Sequence, residues 1–388
     1  MSVNVPKLVK RELAEVQVSA TRMRVEVQPG TINLGAGDPD FDQPKWVADA
    51  VYKAILEGYT HYSMGGEPDL KQAIADYYSK WGYKAPDPQT QVIITSGGSN
   101  AIFQAFAGIL NPGDEVILYD PTYGGYSGPI GYFGGKVVRS PMYKTADGYF
   151  RPSIETLKTK ITPKTKALLI CSPDNPTGLV FTEEEIKAMS DLAKDKDFII
   201  IADEIYMEFI WGGRKFYSPM ALPGMENRTI VLCSFSKMFA WTGCRAGFIL
   251  AGPGLAPYIG RVPLGINSMP VPFQKAAVLT LKQGGEFTKM MRDQYEERVA
   301  YCVKRLNEMP KVKCVFPEST FYVFPDISAT GLKDTEFAMR VGQEERVRFG
   351  GGSGYGPMGA GHVRIALVEP MKTLVDAMDR VERFVKKL

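Results

Sequence analysis

Between residues 90 and 250 the chain repeats one pattern, a short apolar run without polar alternation followed by a stretch of helical character. The runs are Gln91–Thr95, Glu115–Tyr119, Lys166–Cys171, Phe198–Ala202 and Thr229–Cys233. A strand with one wet face alternates polar and apolar residues; a strand buried on both faces does not. This texture therefore predicts a mostly parallel central sheet sandwiched by helices, an α/β fold. Helices are expected from Ser99 to Leu110, stopped by Asn111-Pro112-Gly113, and from the capping box Thr182-Glu183-Glu184-Glu185 to about Lys194. Ligands of such sheets bind beyond the carboxyl ends of the strands. The residues that follow each run are thus the first candidates for function.

After about residue 285 the texture changes. A charged helix from Glu286 to about Met309, short strands at Phe321–Phe324 and Val363–Leu367, and a last helix over Met371–Lys387 suggest a smaller α+β domain. The expected division is a large domain over 39–284 and a small domain built from an N-terminal arm, 1–38, with 285–388. A net charge of +3 gives no footprint for nucleic acid or an anionic membrane. No apolar run nears the roughly 18 residues that span a bilayer, and Met1–Val16 has no signal-peptide core. A cytoplasmic location is expected. Five cysteines without a C-x-x-C pair suit free thiols. The two histidines, His61 and His362, leave no material for a His-rich metal site or a Ser-His-Asp triad, so no metal is expected. Both suit loop or strand-edge positions.

Lys237 follows the run 229–233 within Ser234-Phe235-Ser236-Lys237, and Arg245 stands eight residues on. A strand ending this way can offer an amine for a Schiff base beside donors for a phosphate; the same run also suits a solvated loop lysine. Ser96-Gly97-Gly98-Ser99-Asn100 joins a strand to a helix, where glycines and free N–H groups can meet an anion, or simply make a connection. Asn175-Pro176-Thr177-Gly178 is either a bare turn or a turn that presents a donor. Asp203-Glu204-Ile205-Tyr206 closes the run 198–202. A carboxylate at the mouth of a buried strand is costly unless paired; a helix cap or a protonated ring nitrogen would serve. Arg364, within Gly361-His362-Val363-Arg364-Ile365, suits a carboxylate, of substrate or of protein. Gly354-x-Gly356-x-x-Gly359 fits the dinucleotide fingerprint, but a second strand follows it where a helix should open, so it reads as a mobile loop between strands.

In this order, the motifs resemble the class I/II aminotransferases of pyridoxal phosphate (PLP) fold type I, and the resemblance runs nearly the whole length. Asn33-Leu34-Gly35-Ala36-Gly37-Asp38-Pro39-Asp40-Phe41 is similar to the family's L-G-x-G-x-P-D-F. Tyr62-Ser63-Met64-Gly65, reaching to Leu70, is similar to its Y-x-x-x-G-x-x-x-L. The resemblance implies an enzyme that moves an amino group from an amino acid to a 2-oxo acid in a ping-pong cycle, with PLP as cofactor. It implies that Lys237 forms the Schiff base and shuttles the proton, that Asp203 pairs with the pyridine nitrogen, and that Asn175 and Tyr206 hold O3′. Tyr123 would stack on the ring. Gly98, Ser99, Ser234, Ser236 and Arg245 would bind the phosphate, with Asn100 in the same anion-binding loop. Arg364 would grip the substrate carboxylate, with Gly35 and Asn175 lining the site. Tyr62 would reach in from a second subunit, which implies a homodimer with shared active sites.

The departures fall at the substrate mouth. Some acidic-substrate members of the family carry a lysine where Ser99 stands; its absence, with Tyr123 and Tyr126 near the site, tilts the expected donor to neutral or aromatic amino acids over aspartate. Arg261, before Asn267-Ser268, is a weakly aligned candidate for an acid-binding arginine. The usual P-x-G-x-F-Y is Pro317-Glu318-Ser319-Thr320-Phe321-Tyr322, and the loop near Gly350 lacks the common proline. Cleavage of a C–S bond by a related lyase and a non-catalytic PLP-binding sensor stand as alternatives on the same fold.

Overall fold

A computed structural model describes residues 28–262 and 269–388. The expected N-terminal arm up to residue 27, and Asn267 and Ser268, lie outside the described residues. The strands in chain order are β1 (Ile32–Asn33), β2 (Val92–Thr95), β3 (Glu115–Asp120), β4 (Lys136–Pro141), β5 (Tyr143–Lys144), β6 (Phe150–Arg151) and β7 (Thr165–Cys171). They continue with β8 (Ile199–Asp203), β9 (Thr229–Ser234), β10 (Gly247–Ala251), β11 (Tyr322–Val323), β12 (Val347–Arg348), β13 (Gly350–Gly351) and β14 (Val363–Ala366). Seven form one sheet in the order β2-β10-β9-β8-β7-β3-β4. From β9 across to β4 every pairing is parallel. β10 alone runs antiparallel to both its neighbours.

The unbroken apolar runs are explained by what covers them. Ala167, Leu169, Ile201, Ile230 and Leu232 face one layer, with Ala101, Ala105 and Phe106 of the helix Gly98–Ile109. Their sequence neighbours Leu168, Ile170, Ile200 and Ala202 face the other, against Ile186, Met189 and Ala193 of the helix Glu183–Lys196. Farther along that second face, Val231, Cys233, Phe248 and Leu250 meet Leu70, Ile74 and Tyr78 of the helix Pro68–Ser79 and Ala276 and Leu281 of the helix Val271–Gln283. Each large aliphatic side chain so enclosed contributes about 1.5–3 kcal/mol of burial. With both faces apolar, alternation vanishes from the sequence.

The expected C-terminal helices are present as Gly285–Glu308 and Met371–Val385, with a further helix Asp334–Glu344 between them. They cover a small sheet, β11-β14-β13. The segment after residue 30 joins this part: β1 pairs in parallel with β12, Leu34 N–H donates to Arg348 O, and Leu34 O accepts from Ala366 N–H. Arg298 fixes the following residues through a two-pronged bond to Asp40, at 2.7 and 3.0 Å.

The glycine-rich stretch is a loop between β13 and β14, as its flanks predict; it holds two short 3-10 turns, Gly352–Tyr355 and Pro357–Gly359, and no α-helix. It is anchored rather than mobile. Tyr355 O accepts from Thr122 N–H, and Asp120 Oδ1 accepts from Met358 N–H at 3.1 Å. Backbone groups that a sequence cannot show as paired hold it down. His362 precedes β14, buried and stacked on Phe324 with ring centres 4.9 Å apart. His61 is exposed.

Candidate active site

β8 and β9 end side by side, and Asp203 of β8 with Leu232 and Cys233 of β9 line a cleft of about 330 Å³. At the end of β9 the Ser234 hydroxyl accepts from Ser236 N–H at 3.0 Å and caps the single helical turn Phe235–Met238. That turn points Lys237 into the cleft, where Nζ donates to Gly37 O at 2.5 Å. Burial lowers the Lys237 amine to about 8; the carboxylates of Asp38 and Asp203 act against the shift, and Arg364 and Arg245 add to it.

Asp203 ends β8 and is buried. Its carboxylate accepts from Tyr126 Oη at 2.8 Å and from Ile205 N–H at 3.3 Å. Burial raises it to about 6, while these two bonds and Lys237 hold it down. It forms no ion pair with a lysine or arginine among the described residues, so its burial is only partly offset by these bonds and by the Lys237 charge.

One wall carries Asn175, Tyr206, Tyr322 and Arg364. Asn175 Nδ2 donates to Tyr206 Oη at 3.4 Å, and the Tyr206 and Tyr322 hydroxyls lie 3.0 Å apart. Arg364 Nη1 donates to Asn175 Oδ1 at 3.1 Å and Nη2 to Gly35 O at 2.5 Å. The guanidinium carbon lies 4.5 Å from the Tyr322 ring centre and 5.0 Å from that of Tyr355. Its Nε is buried without a hydrogen-bond acceptor. Tyr123 stands opposite, edge-on to Tyr126 at 5.2 Å.

The end of the cleft is a cradle for an anion. Gly97, at φ 86°, turns the chain from β2 into the helix that Gly98 opens. A Cβ on Gly97 would stand 2.7 Å from Arg245 Nη2. Arg245 Nη1 is held by Thr242 O at 2.8 Å and Nη2 by Ser96 O at 3.3 Å. Ser99 and Ser236 line the same end. The antiparallel β10 is what brings Arg245 here. β10 begins where β2 and β9 end, with Gly247 beside Thr95 and Ser234, so the residue two before it lies at the cleft rim. A parallel strand in that place would begin at the opposite rim, about 17 Å away at 3.3 Å per residue.

The fold thus gathers Lys237, Asp203, Tyr206, Asn175, Tyr123, Gly98, Ser99, Ser236, Arg245 and Arg364 around one space. Four expected residues stand elsewhere. Ser234 is buried behind Ser236, its hydroxyl directed to Ser236 and, at 3.0 Å, to Ala246 O. Asn100 turns back into its own loop, where Oδ1 accepts from Ser96 N–H at 3.0 Å. Gly35 meets the site only through its carbonyl on Arg364. Tyr62 is 84% exposed and outside the cleft of its own chain. Arg261 is likewise exposed and does not line the cleft. Tyr126, expected only as a tyrosine near the site, lines it, and among the cleft residues not singled out beforehand are Gly37, Cys171, Thr242 and Tyr322. Tyr126 lies one turn after Tyr123, and Tyr322 ends the Phe-Tyr pair of its motif; those spacings were the available signals. A Cβ on Gly37 would fall 1.9 Å from Tyr322 Oη, so only glycine fits against that hydroxyl.

These features suit a molecule with a carbonyl for an amine, a ring cation for a buried carboxylate, and a phosphate for a glycine cradle with an arginine. PLP has all three, and the donor set fits it.

A model of the family described as "Aminotransferase class I and II" matches residues 29–381. The chain is 38% identical to an aromatic-amino-acid aminotransferase 2 of Thermococcus litoralis over 92% of both chains. It is 36% identical to an aspartate aminotransferase of Pyrococcus abyssi, again over 92% of each. It superposes on the crystal structure of an aromatic aminotransferase from Pyrococcus horikoshii with a TM-score of 0.90 and 34% identity, covering 97% of this chain and 98% of that one. All three are named for amino-group transfer and none for the C–S cleavage left open by the sequence.

Proposed function

This chain belongs to the class I and II aminotransferases and transfers amino groups between amino acids and 2-oxo acids, and from that premise we propose that it does so with PLP seated in the cleft around Lys237. The observation that carries this reading is the buried Asp203 carboxylate, without a cation, opposite a depressed lysine amine and beside a glycine–arginine cradle. Lys237 would hold the cofactor, Asp203 its ring nitrogen, Asn175 and Tyr206 its O3′, and Gly98, Ser99, Ser236 and Arg245 its phosphate. When bound, the cofactor supplies an aldehyde carbon and a ring that takes up the electron pair left at the α-carbon.

The chain's own residues do the rest. Tyr126 donates to Asp203 and favours its charged form against the burial that opposes it. Arg364 exchanges Gly35 O and Asn175 Oδ1 for the incoming α-carboxylate, a charged acceptor that matches its fork better than two neutral ones. Lys237 Nζ, lowered by burial so that its neutral form is within reach near pH 8, takes the proton from the α-carbon of the amino acid and returns it to the product side. Tyr123, Tyr126 and Tyr322 line the cleft with aromatic surface.

For the amino donor we favour a neutral or aromatic side chain over aspartate. The cleft offers Tyr123, Tyr322, Ile102 and Ile205 to such a side chain, and Ser99 in place of a cation. We also infer a homodimer. Tyr62 and Met64, with Tyr52, Ile55 and Leu56 on the helix Lys45–Leu56, form an exposed apolar face that a second copy would cover, placing Tyr62 at its partner's cradle. The division at 39–284 against 1–38 with 285–388 and a cytoplasmic location belong to the same reading. Among the described residues no helix is long and apolar enough to cross a membrane.

The test combines Lys237→Ala with a donor panel. The variant is expected to bind PLP without the visible imine band, to yield no borohydride adduct, and to lose about 10²–10⁴-fold in rate. Retained turnover would reject the assignment. A large preference for aspartate in the parent enzyme would reject the donor class alone.

A further inference from the structure

Asp174, one residue before Asn175, is buried and meets no lysine or arginine in an ion pair among the described residues. A carboxyl buried this way does not favour the fold by its charge. Its position shows what it holds instead. Oδ2 accepts from Thr177 N–H at 3.2 Å and from Thr177 Oγ1 at 2.7 Å, which closes the turn carrying Asn175. Oδ1 accepts from Thr122 Oγ1 at 3.3 Å, across to the loop carrying Tyr123. Thr122 N–H in turn donates to Tyr355 O at 3.0 Å, and the Tyr355 ring lies over Arg364. Two walls of the cleft, from β3 and from β7, and the glycine-rich loop that backs Arg364 therefore converge on Thr122 and Asp174. Burial raises the Asp174 carboxyl to about 7, with the threonine bonds acting against it and the Asp203 charge adding to it.

We propose that Asp174 is a positioning residue for the reaction: through Thr122 and Thr177 it sets Tyr123, Asn175 and the Tyr355–Arg364 pair at one fixed spacing around the cofactor and substrate. It touches neither of them. The inference rests on the cleft assignments made above.

The experiment uses the full-length enzyme loaded with PLP. Thr122→Val keeps the shape of the side chain and its backbone bond to Tyr355 and removes only the bond to Asp174. It is expected to weaken the visible circular dichroism of bound PLP, which reports how the ring sits against its surroundings. It should also raise the donor KM about 3- to 10-fold with kcat within twofold. Asp174→Asn is expected to remain within threefold of the parent, because one amide oxygen still serves Thr177 and the amide nitrogen can donate to Thr122 Oγ1. Asp174→Ala, if it folds, should lose more than either, and adding Thr122→Val to it should change nothing further. Thr122→Val with unaltered dichroism and KM overturns the proposal, as does full additivity in the double variant. A parent enzyme that takes up no PLP overturns both this inference and the cleft reading; a parent that takes it up while Thr122→Val is silent overturns this inference only.

Discussion

Lys237 is a buried amine in a site with cations at two sides, and its protonation should govern how the empty protein captures PLP. The amine attacks only when neutral. With burial lowering it to about 8, the capture rate is expected to rise with pH and level off above about 8. An ordinary lysine near 10.4 would still be climbing at pH 9. Stopped-flow absorbance of the apo-protein across pH 6–10 measures this directly. Lys237, Asp203 and Arg364 were legible in the sequence because a charged residue that ends or enters an apolar run has few uses. Residue type and spacing do not say which way a short polar side chain turns, as Ser234 and Asn100 show. Both turn inward, to cap a helix and to close a loop. Tyr322 is not legible as a site residue, and Tyr126 only as a tyrosine near the site, for the converse reason. A tyrosine is at home in any core, and only the fold shows that these hydroxyls meet Asp203 and Tyr206.

At the scale of elements, two substitutions separate support from function. Thr182 and Glu185 form a complete capping box at the helix Glu183–Lys196, on the face of the sheet that Ile186 and Met189 cover. Thr182→Ala is expected to cost about 1 kcal/mol in chemical denaturation and to leave kcat unchanged. Gly97→Ala acts in the opposite way. It forces φ 86° on a residue with a Cβ and drives that carbon against Arg245. We expect at least a tenfold loss of PLP affinity, read by fluorescence titration, from steric exclusion together with about 1–2 kcal/mol of backbone strain. The parallel strands and the helices between them could be foreseen from periodicity and caps. The direction of β10 could not. All five of its residues are buried, so it has the same texture as its parallel neighbours, and strand polarity leaves no mark on an apolar run.

For the whole molecule, the segment 33–41 ties the cleft to the C-terminal helices. Its Gly35 and Gly37 carbonyls receive Arg364 and Lys237, and Asp40 is clasped by Arg298 on the helix Gly285–Glu308. Arg298→Ala leaves a largely buried carboxylate unpaired and removes a cation lying 5.0 Å from the centre of the Phe41 ring. The expected loss is about 3 kcal/mol of stability, measured by thermal melting, with a rise in donor KM because the Arg364 acceptor shifts with the segment. This bridge was legible only as a motif, since its partners lie hundreds of residues away.

The sheet order has a consequence for synthesis. β2 is among the earliest strands to leave the ribosome, yet among the described residues its one sheet neighbour is β10, where Thr95 meets Gly247 and Val92 meets Leu250. Until residue 251 has emerged, β2 waits as an open edge with apolar side chains on both faces, the kind of surface to which nascent chains adhere. A chaperone, or a neighbouring strand of the wrong molecule, has that interval in which to reach it.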